Sequence, residues 1–341
     1  MEQSPLLQMA IGYIPAQTLH VTVELGLADA LADGPHTYEN LAKQTGTDPR
    51  TLRRLLRALV GLGLVTQLDP AHFELTELGE QLRTDTPGSL RDEVLLCTAP
   101  VLWRAWSQLP RIVRTGEPAR QPDTGWTPFE WLLQDSELSV KFHEAMAQST
   151  RALAPGIAEA YDFTSFRTVA DIGGGYGMLI TGLLTAVPGL RAILYDLPTA
   201  VQTAPAALRA AGVGHRCEII SGNFFESVPS GADAYILNNV LRNWDDEKAT
   251  AILRNCRAAM TPNARVLIVE TVLPPVITPD GSMSYGMTDL NMLVYAGGAE
   301  RTADEYRDLL GDAGFALTTI TDVMANGKKS GLQVIEGMPT A

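Results

Sequence analysis

A strand that ends in a cluster of glycines, followed at once by an apolar helix, constrains the fold of this chain more than any other feature. The segment is RTVADIGGGYGMLITGLLTAV, residues 167–187. After it, apolar runs alternate with helical patterns: RAILYDLP, RCEIISGNFF, ADAYILNNVL and RVLIVETVLP, with FALTTITDV and KSGLQVIEGM near the end. This alternation predicts a mostly parallel, doubly wound α/β sheet over residues 161–341, with its ligand at the carboxyl ends of the strands.

The sequence pattern of residues 1–90 predicts a smaller and mostly helical N-terminal domain. Its segment TYENLAKQTGTDPRTLRRLLRALVGLGLV predicts helix, turn and helix, with Thr37 and Asp48 as N-caps, and LVTQLDPAHFELTELG predicts a hairpin. This winged-helix pattern fits either a DNA-binding regulator or a dimerisation module with a solvated basic face. The chain has 26 Lys and Arg against 39 Asp and Glu, a net charge of −13, which favours the dimerisation module.

The sequence pattern of residues 91–160 predicts a helical linker that is rich in aromatic side chains. Large aromatic residues in such a layer belong either to the core or to the wall of a pocket for a flat ligand. The candidate substrate residues of this region are Trp103, Phe129, Trp131, Phe142 and Met146.

The cysteines and the N-terminus bear on location and on metal binding. Cys97, Cys217 and Cys256 are widely spaced and odd in number, which predicts neither a disulfide framework nor a metal site. The N-terminus has no basic region followed by an apolar core, and no apolar run reaches the length of a membrane span. We therefore expect a cytoplasmic protein without a metal.

The glycine turn indicates the kind of ligand. Gly173, Gly175 and Gly177 are spaced G-x-G-x-G, which differs from the spacing of pyrophosphate-binding dinucleotide folds, and no P-loop Lys follows. Asp196 ends the next strand about 20 residues later, where a carboxylate can accept both hydroxyls of a ribose. Together with Asp171 before the turn, this pattern favours an adenosine ligand without a pyrophosphate, such as S-adenosylmethionine (SAM).

Beyond these motifs, nearly the whole chain resembles the SAM-dependent O-methyltransferases that carry an N-terminal winged-helix dimerisation domain. This family includes plant phenolic enzymes and bacterial enzymes of natural-product biosynthesis. The resemblance rests on the order and spacing of VELGLADAL, TLRRLLRAL, DIGGGYG, YDLP, GNFFESVP, VLRNWDDEKATAIL, VETVLP and DLNMLVYAGGAERTADEY. It implies a Rossmann-like class I methyltransferase domain, a homodimer formed through the N-terminal domain, and a small aromatic or polyketide-like substrate. A nucleic-acid or membrane partner is not expected.

The resemblance also implies the residues that bind SAM and its product S-adenosylhomocysteine. They are Asp171, Gly173, Gly175, Gly177, Asp196, Leu197, Asn223, Phe224 and Asn238. Two of them depart from the family pattern. Asn223 stands where Asp is usual, although its amide oxygen can still accept a hydrogen bond from adenine. Asn238 stands where Lys is frequent.

The catalytic segment departs further. Where the family commonly has His-Asp-Trp, this chain has Arg242-Asn243-Trp244. The family histidine takes the proton of the substrate hydroxyl, with two acidic residues behind it, which correspond to Glu270 and Glu300. An arginine cannot take that proton, because its guanidinium stays protonated.

Three hypotheses follow. In the first, Arg242 holds an oxygen that is already anionic, and methyl transfer relies on proximity, with Glu270 and Glu300 orienting the guanidinium. In the second, His143 in KFHEAMAQS has become the base. In the third, methyl transfer is lost, and Arg242 polarises a carbonyl during cyclisation, rearrangement or hydroxylation. The remaining candidate substrate residues are Asn239, Trp244 and Asn291.

Overall fold

The computed structural model describes residues 4–134, 136–279 and 285–340. The chain forms two compact units, Met1–Arg104 and Ala105–Ala341. The division between them falls inside the helical linker predicted for residues 91–160.

The first unit is mostly helical. Its helices are α1 (Pro5–Ala10), α2 (Tyr13–Glu24), α3 (Leu27–Ala30), α4 (Tyr38–Thr45), α5 (Pro49–Gly61), α6 (Glu77–Glu80) and α7 (Arg91–Cys97), and α8 (Pro100–Trp106) leads into the second unit. A small antiparallel sheet of order β1-β3-β2 completes it, with β1 (His36–Thr37), β2 (Val65–Gln67) and β3 (His72–Leu75).

The winged-helix pattern read from the sequence is confirmed in this unit. The Thr37 side chain accepts a hydrogen bond from the backbone N–H of Asn40 at the start of α4, and Asp48 accepts one from Thr51 at the start of α5. Leu52, Leu56 and Leu59 of α5 lie in the core, while its arginines lie on the other side of the helix.

The second unit is an α/β domain. Its helices are α9 (Leu109–Thr115), α10 (Pro128–Gln134), α11 (Ser136–Ala160), α12 (Met178–Ala186), α13 (Ala204–Ala210), α14 (Asp246–Ala259), α15 (Tyr285–Tyr295) and α16 (Ala303–Asp312). Its strands are β4 (Thr168–Ile172), β5 (Arg191–Asp196), β6 (Cys217–Ser221), β7 (Ala234–Asn238), β8 (Arg265–Glu270), β9 (Val272–Leu273), β10 (Arg301–Thr302), β11 (Phe315–Ala325) and β12 (Lys328–Pro339). Short 3₁₀ helices occupy Phe163–Ser165, Gly214–Arg216 and Leu241–Asn243.

The main sheet has the strand order β11-β12-β8-β7-β4-β5-β6. Strands β4 to β8 are parallel, and β12 is antiparallel to both β8 and β11, so the mostly parallel sheet is confirmed. The chain runs from β4 outward to β6 and returns on the other side of β4 with β7. This reversal opens a crevice at the carboxyl ends of β4 and β7, the usual ligand site of doubly wound sheets.

Buried apolar side chains cover both faces of the sheet. One core includes Tyr235, Ile252 and Phe315, and the other includes Leu183, Leu194 and Ile236. In the described part of the chain, no helix is both long enough and apolar enough to cross a membrane.

Candidate active site

The glycine turn leaves β4 with a backbone that only glycine adopts easily. The φ angles of Gly173, Gly175 and Gly177 are 76°, 53° and 75°. A Cβ at Gly173 would lie 2.8 Å from the side chain of Val240, and one at Gly175 would meet no atom within 4 Å. The turn is therefore close-packed on one side and open at Gly175, which leaves room for a ligand.

Asp196 lies beside this turn at the end of β5. Its two carboxylate oxygens accept hydrogen bonds from the backbone N–H groups of Gly175, at 2.8 Å, and Leu197, at 2.7 Å. Burial raises the pKa of the Asp196 carboxyl, and the two N–H donors lower it. These bonds fix the carboxylate at the turn, and its remaining lone pairs can accept the hydroxyls of a ribose.

Asp171 is a buried carboxylate without a hydrogen-bond partner among the described residues. It is 1% exposed, and burial, with a smaller contribution from Asp196, raises its pKa to about 7. A Cβ at Gly174 would lie 2.5 Å from its Oδ2. A buried acid without a partner next to the glycine turn favours a ligand with a positive charge. SAM has two such groups, its ammonium and its sulfonium.

Asn223 and Phe224 follow β6. The Asn223 amide oxygen accepts the backbone N–H of Phe225 at 3.0 Å, and its amide nitrogen donates to Glu226 at 3.2 Å. The Asn223 side chain thus closes a local turn and keeps one oxygen lone pair for a ligand. The Phe224 ring lies near Gly173, where a Cβ would be 3.6 Å from it, and Asn238 ends β7 half-buried. These residues, with Asp171 and Asp196, fit SAM.

Arg242 lies on the 3₁₀ helix that follows β7, and its guanidinium is held from three sides. Its Nη2 is 2.5 Å from Glu300 Oε1, its Nη1 donates to Asn239 Oδ1 at 3.3 Å, and its Nε contacts Met292 Sδ at 3.3 Å. The Arg242 side chain remains 20% exposed, whereas that of Glu300 is fully buried. The Arg242 side chain is therefore partly exposed, and each of its two Nη atoms has a second N–H that can donate to an anion.

Glu270 acts on the main chain instead of the guanidinium. Its Oε1 accepts the backbone N–H of Arg242 at 3.1 Å, and its Oε2 accepts the hydroxyl of Tyr306 at 2.6 Å. Burial raises the pKa of Glu270, while these donors lower it. The sequence-based expectation that both acids orient the guanidinium is therefore corrected: the guanidinium contact belongs to Glu300, and Glu270 fixes the backbone that carries Arg242.

Arg301 holds the backbone around Arg242, although no sequence pattern indicates this role. It is 2% exposed, and it donates to the carbonyls of Leu241, Trp244 and Ala299 and twice to Asp246 Oδ1. These bonds surround the segment that carries Arg242. Its position directly after Glu300 was the one signal available, because bonds to distant carbonyls leave no pattern in a sequence.

Gly298 lets this segment pack closely. A Cβ at Gly298 would lie 2.0 Å from the carbonyl oxygen of Arg242 and 2.7 Å from the backbone nitrogen of Trp244. Both atoms belong to backbone that cannot rotate away, so the segment would have to shift.

Replacing Gly298 by alanine is therefore expected to lower the free energy of unfolding by about 2 kcal/mol and to reduce turnover. Thermal unfolding followed by circular dichroism measures the first effect. Gly311 in α16 is the matched control, because a Cβ there meets no atom within 4 Å and the φ angle is ordinary. Gly311→Ala should be neutral or stabilising by about 0.5 kcal/mol. Equal stability of the two variants would contradict the close packing of Gly298.

Aromatic rings connect this segment to α11. Phe129 lies 5.9 Å from Phe142, 6.0 Å from Trp244 and 5.5 Å from Tyr295, measured between ring centroids. His143 lies 5.5 Å from Phe142 and 5.3 Å from Tyr176 in the glycine turn. Most of the predicted substrate aromatics thus form one cluster with the cofactor turn and the Arg242 segment.

His143 is half-buried in this cluster, and burial lowers its pKa. A lowered pKa keeps the imidazole neutral near pH 7, the form that can accept a proton. No sequence pattern predicts its contact with Tyr176, because the two residues are far apart in the chain.

The other predicted substrate residues are placed less centrally. Met146 is 40% exposed on α11, and Trp131 on α10 and Asn291 on α15 are half-buried. Trp103 belongs to the first unit, where its ring lies 6.4 Å from that of Tyr13. Within the described residues, no group of His, Cys, Asp or Glu is arranged to hold a metal ion.

Comparison with known proteins decides the family. Residues 106–316 match the family model described as the O-methyltransferase domain, and residues 7–85 match the O-methyltransferase dimerisation domain. The chain belongs to the O-methyltransferase family. It is a SAM-dependent methyltransferase, and its dimerisation domain supports the predicted homodimer.

Several relatives of this methyltransferase are known. It is 41% identical to phenazine O-methyltransferase PhzM from Lysobacter antibioticus over 98% of this chain and 96% of that protein. It is 34% identical to aclacinomycin 10-hydroxylase RdmB from Streptomyces purpurascens, over 90% of this chain and 82% of that protein. The solved structure of NcsB1, from neocarzinostatin biosynthesis, contains SAM and 2-hydroxy-5-methyl naphthoic acid. It is 32% identical, with a TM-score of 0.83 over 95% of this chain and 96% of that one.

Proposed function

We propose that this enzyme methylates a hydroxyl oxygen of a flat aromatic or polyketide-derived small molecule, with Arg242 holding that oxygen as an anion. The partly exposed side chain of Arg242, two residues before the Trp244 ring of the aromatic cluster, is the observation that carries this proposal. Relatives named for phenazine and naphthoate chemistry support a polycyclic acceptor. We expect no nucleic-acid partner, because the net charge is −13.

Each group has a role in this proposal. The glycine turn, Asp171 and Asp196 would hold SAM, which supplies the methyl group. The Phe129, Phe142 and Trp244 rings stack against the acceptor and exclude water from it. Arg242 stabilises the negative charge on the acceptor oxygen, and alignment of that oxygen with the methyl carbon accounts for much of the rate. His143 is the candidate base for acceptors whose hydroxyl lies towards α11.

Methyl transfer is favoured over the cyclisation, rearrangement or hydroxylation that the arginine also suggested. The turn residues that fit SAM support it, and so do the family and most of the relatives by name. The relative named as a hydroxylase makes a direct test worthwhile.

The test uses SAM with an isotope-labelled methyl group and a panel of hydroxylated naphthoates, phenazines and anthraquinones. We expect one labelled methyl ether and one S-adenosylhomocysteine per turnover, detected by mass spectrometry. A hydroxylated or rearranged product without label would contradict methyl transfer. Unlabelled, unchanged acceptors across the panel would contradict the proposed substrate class.

Asp196→Ala tests the cofactor site. Loss of a carboxylate that accepts two ribose hydroxyls is expected to weaken S-adenosylhomocysteine binding roughly 100-fold, or about 3 kcal/mol. Titration calorimetry measures the affinity. Asp304→Ala removes an exposed acid on α16 and should leave the affinity unchanged. Unchanged affinity of the Asp196→Ala variant would show that the ribose binds elsewhere.

A further inference from the structure

Arg242 already has a negative partner before any substrate binds. Glu300 Oε1 is 2.5 Å from Arg242 Nη2, and the Glu300 side chain is fully buried. An anionic acceptor on the same guanidinium would therefore place two negative charges around one positive charge in a site screened from water. That arrangement is costly unless one of the negative charges is removed.

The other charged groups around Glu300 increase this excess of negative charge. Glu270 faces it from β8 and Asp289 from α15, and Arg301 is its immediate neighbour on β10. Asp289 Oδ1 accepts the backbone N–H of Glu300 at 3.0 Å, and Tyr306 from α16 contributes a neutral hydroxyl to Glu270. Asp246 on α14 is the direct ionic partner of Arg301, so four carboxylates meet two guanidinium groups in this cluster, and negative charge is in surplus even without a substrate.

Glu300 is the acid of this cluster that can take up a proton at the lowest cost. Both oxygens of Glu270 accept hydrogen bonds, so protonation there would break one of them. Among the described residues, neither oxygen of Glu300 has an aligned donor, and its contact with Arg242 is ionic. Burial, together with Glu270 and Asp289, raises the pKa of Glu300 to about 7, although Arg242 lowers it.

We propose that the Arg242–Glu300 pair replaces the missing base, with Glu300 taking the proton of the acceptor hydroxyl while Arg242 keeps the resulting anion. The O–H bond breaks, its electron pair stays on the acceptor oxygen, and the proton forms an O–H bond on the Glu300 carboxylate. The charge of the buried site does not change in this step. The acceptor oxygen then attacks the methyl carbon of SAM, and the electron pair of the C–S bond goes to sulfur. After the methylated product leaves, solvent reaches the pair from the partly exposed side of Arg242, and Glu300 releases its proton to it.

This inference rests on the proposed function and makes a separate prediction about protons. The probe is 1-hydroxyphenazine, or the phenol that binds most tightly in the panel above, added to the complex with S-adenosylhomocysteine, which cannot react. At a pH above about 7, where Glu300 starts ionised, we expect the absorption band of the ionised phenol to appear with no net proton released, as measured by titration calorimetry in buffers of different ionisation enthalpy. In Glu300→Gln, the band should be accompanied by release of about one proton per bound phenol, because the proton has lost its acceptor.

Glu270→Gln is the matched control, since it also removes a buried carboxylate next to Arg242. It should leave the proton count of the wild type unchanged. The pH dependence provides a second readout. Because Glu300 must be ionised to accept a proton, the affinity of the wild type for a neutral phenol should fall as the pH drops below about 7. In Glu300→Gln the affinity should instead fall over the whole range below the pKa of the free phenol, because each bound phenol then releases a proton to solvent.

Three results would overturn the inference. A phenol bound in its neutral form would show that Arg242 does not ionise it. Release of one proton by the wild type would show that Arg242 acts without Glu300, while methyl transfer could stand. If no phenol of the panel binds and none is methylated, the proposed substrate class fails, and the inference fails with it.

Discussion

Alanine in place of Arg242 is expected to lower kcat/KM for the acceptor by roughly 10²- to 10³-fold, the loss typical of removing one preorganised group that stabilises a developing anion. The variant also leaves Glu300 buried without its cation, so Glu300 becomes protonated in the free enzyme and can no longer take a proton. Arg242→Lys should recover part of the activity, because it keeps the charge and loses the planar fork.

Steady-state kinetics with the best acceptor of the panel measures this effect. The affinity for S-adenosylhomocysteine should stay within about twofold, because the guanidinium contacts Glu300, Asn239 and Met292 and makes no bond to the glycine turn. Arg307→Ala, an exposed arginine on α16, is the control and should retain full activity. A wild-type kcat/KM in Arg242→Ala would remove both the proposed role of the guanidinium and the inference built on it.

Methionine in place of Arg301 is expected to lower the free energy of unfolding by about 3 kcal/mol. The carbonyls of Leu241, Trp244 and Ala299 would lose their donor in a site that is closed to water. Methionine has a similar length and no charge, so the change tests the hydrogen bonds more than the volume. Turnover should fall as well, because these carbonyls fix the segment that carries Arg242.

Thermal unfolding and the kcat of the folded variant are the measurements. Arg254→Met is the control, because Arg254 also donates two hydrogen bonds to a backbone carbonyl, that of Asp312, but lies exposed on α14. Its loss should cost no more than about 0.5 kcal/mol. If both variants lost the same stability, burial of Arg301 would not be what makes its bonds important.

Local chemistry accounts for what the sequence could predict. The side-chain caps at Thr37 and Asp48, the strand before the glycine turn and the helix after it were all expected, and all are confirmed. Each depends on residues within a few positions of one another, so the pattern is present in the sequence. The family resemblance, which the family models confirm, extended the fold prediction from these local segments to nearly the whole chain.

The arrangement around Arg242 could not be predicted in the same way. Glu270, Glu300 and Tyr306 meet there from β8, from the residue before β10 and from α16. The partners of the two acids depend on how these three elements pack. A residue type shows that an acid is present, but it does not show whether the acid binds a guanidinium or a backbone N–H. The local turn made by Asn223 was missed for the same reason.

The contact between the glycine turn and Val240 has a thermodynamic consequence. Gly173 packs so closely on Val240 that a Cβ would lie 2.8 Å from it, and Val240 precedes Arg242 by two residues. A ligand that shifts or rigidifies the turn therefore acts on the segment that binds the acceptor. Such coupling is reciprocal: whatever factor SAM adds to the affinity for the acceptor, the acceptor must add to the affinity for SAM.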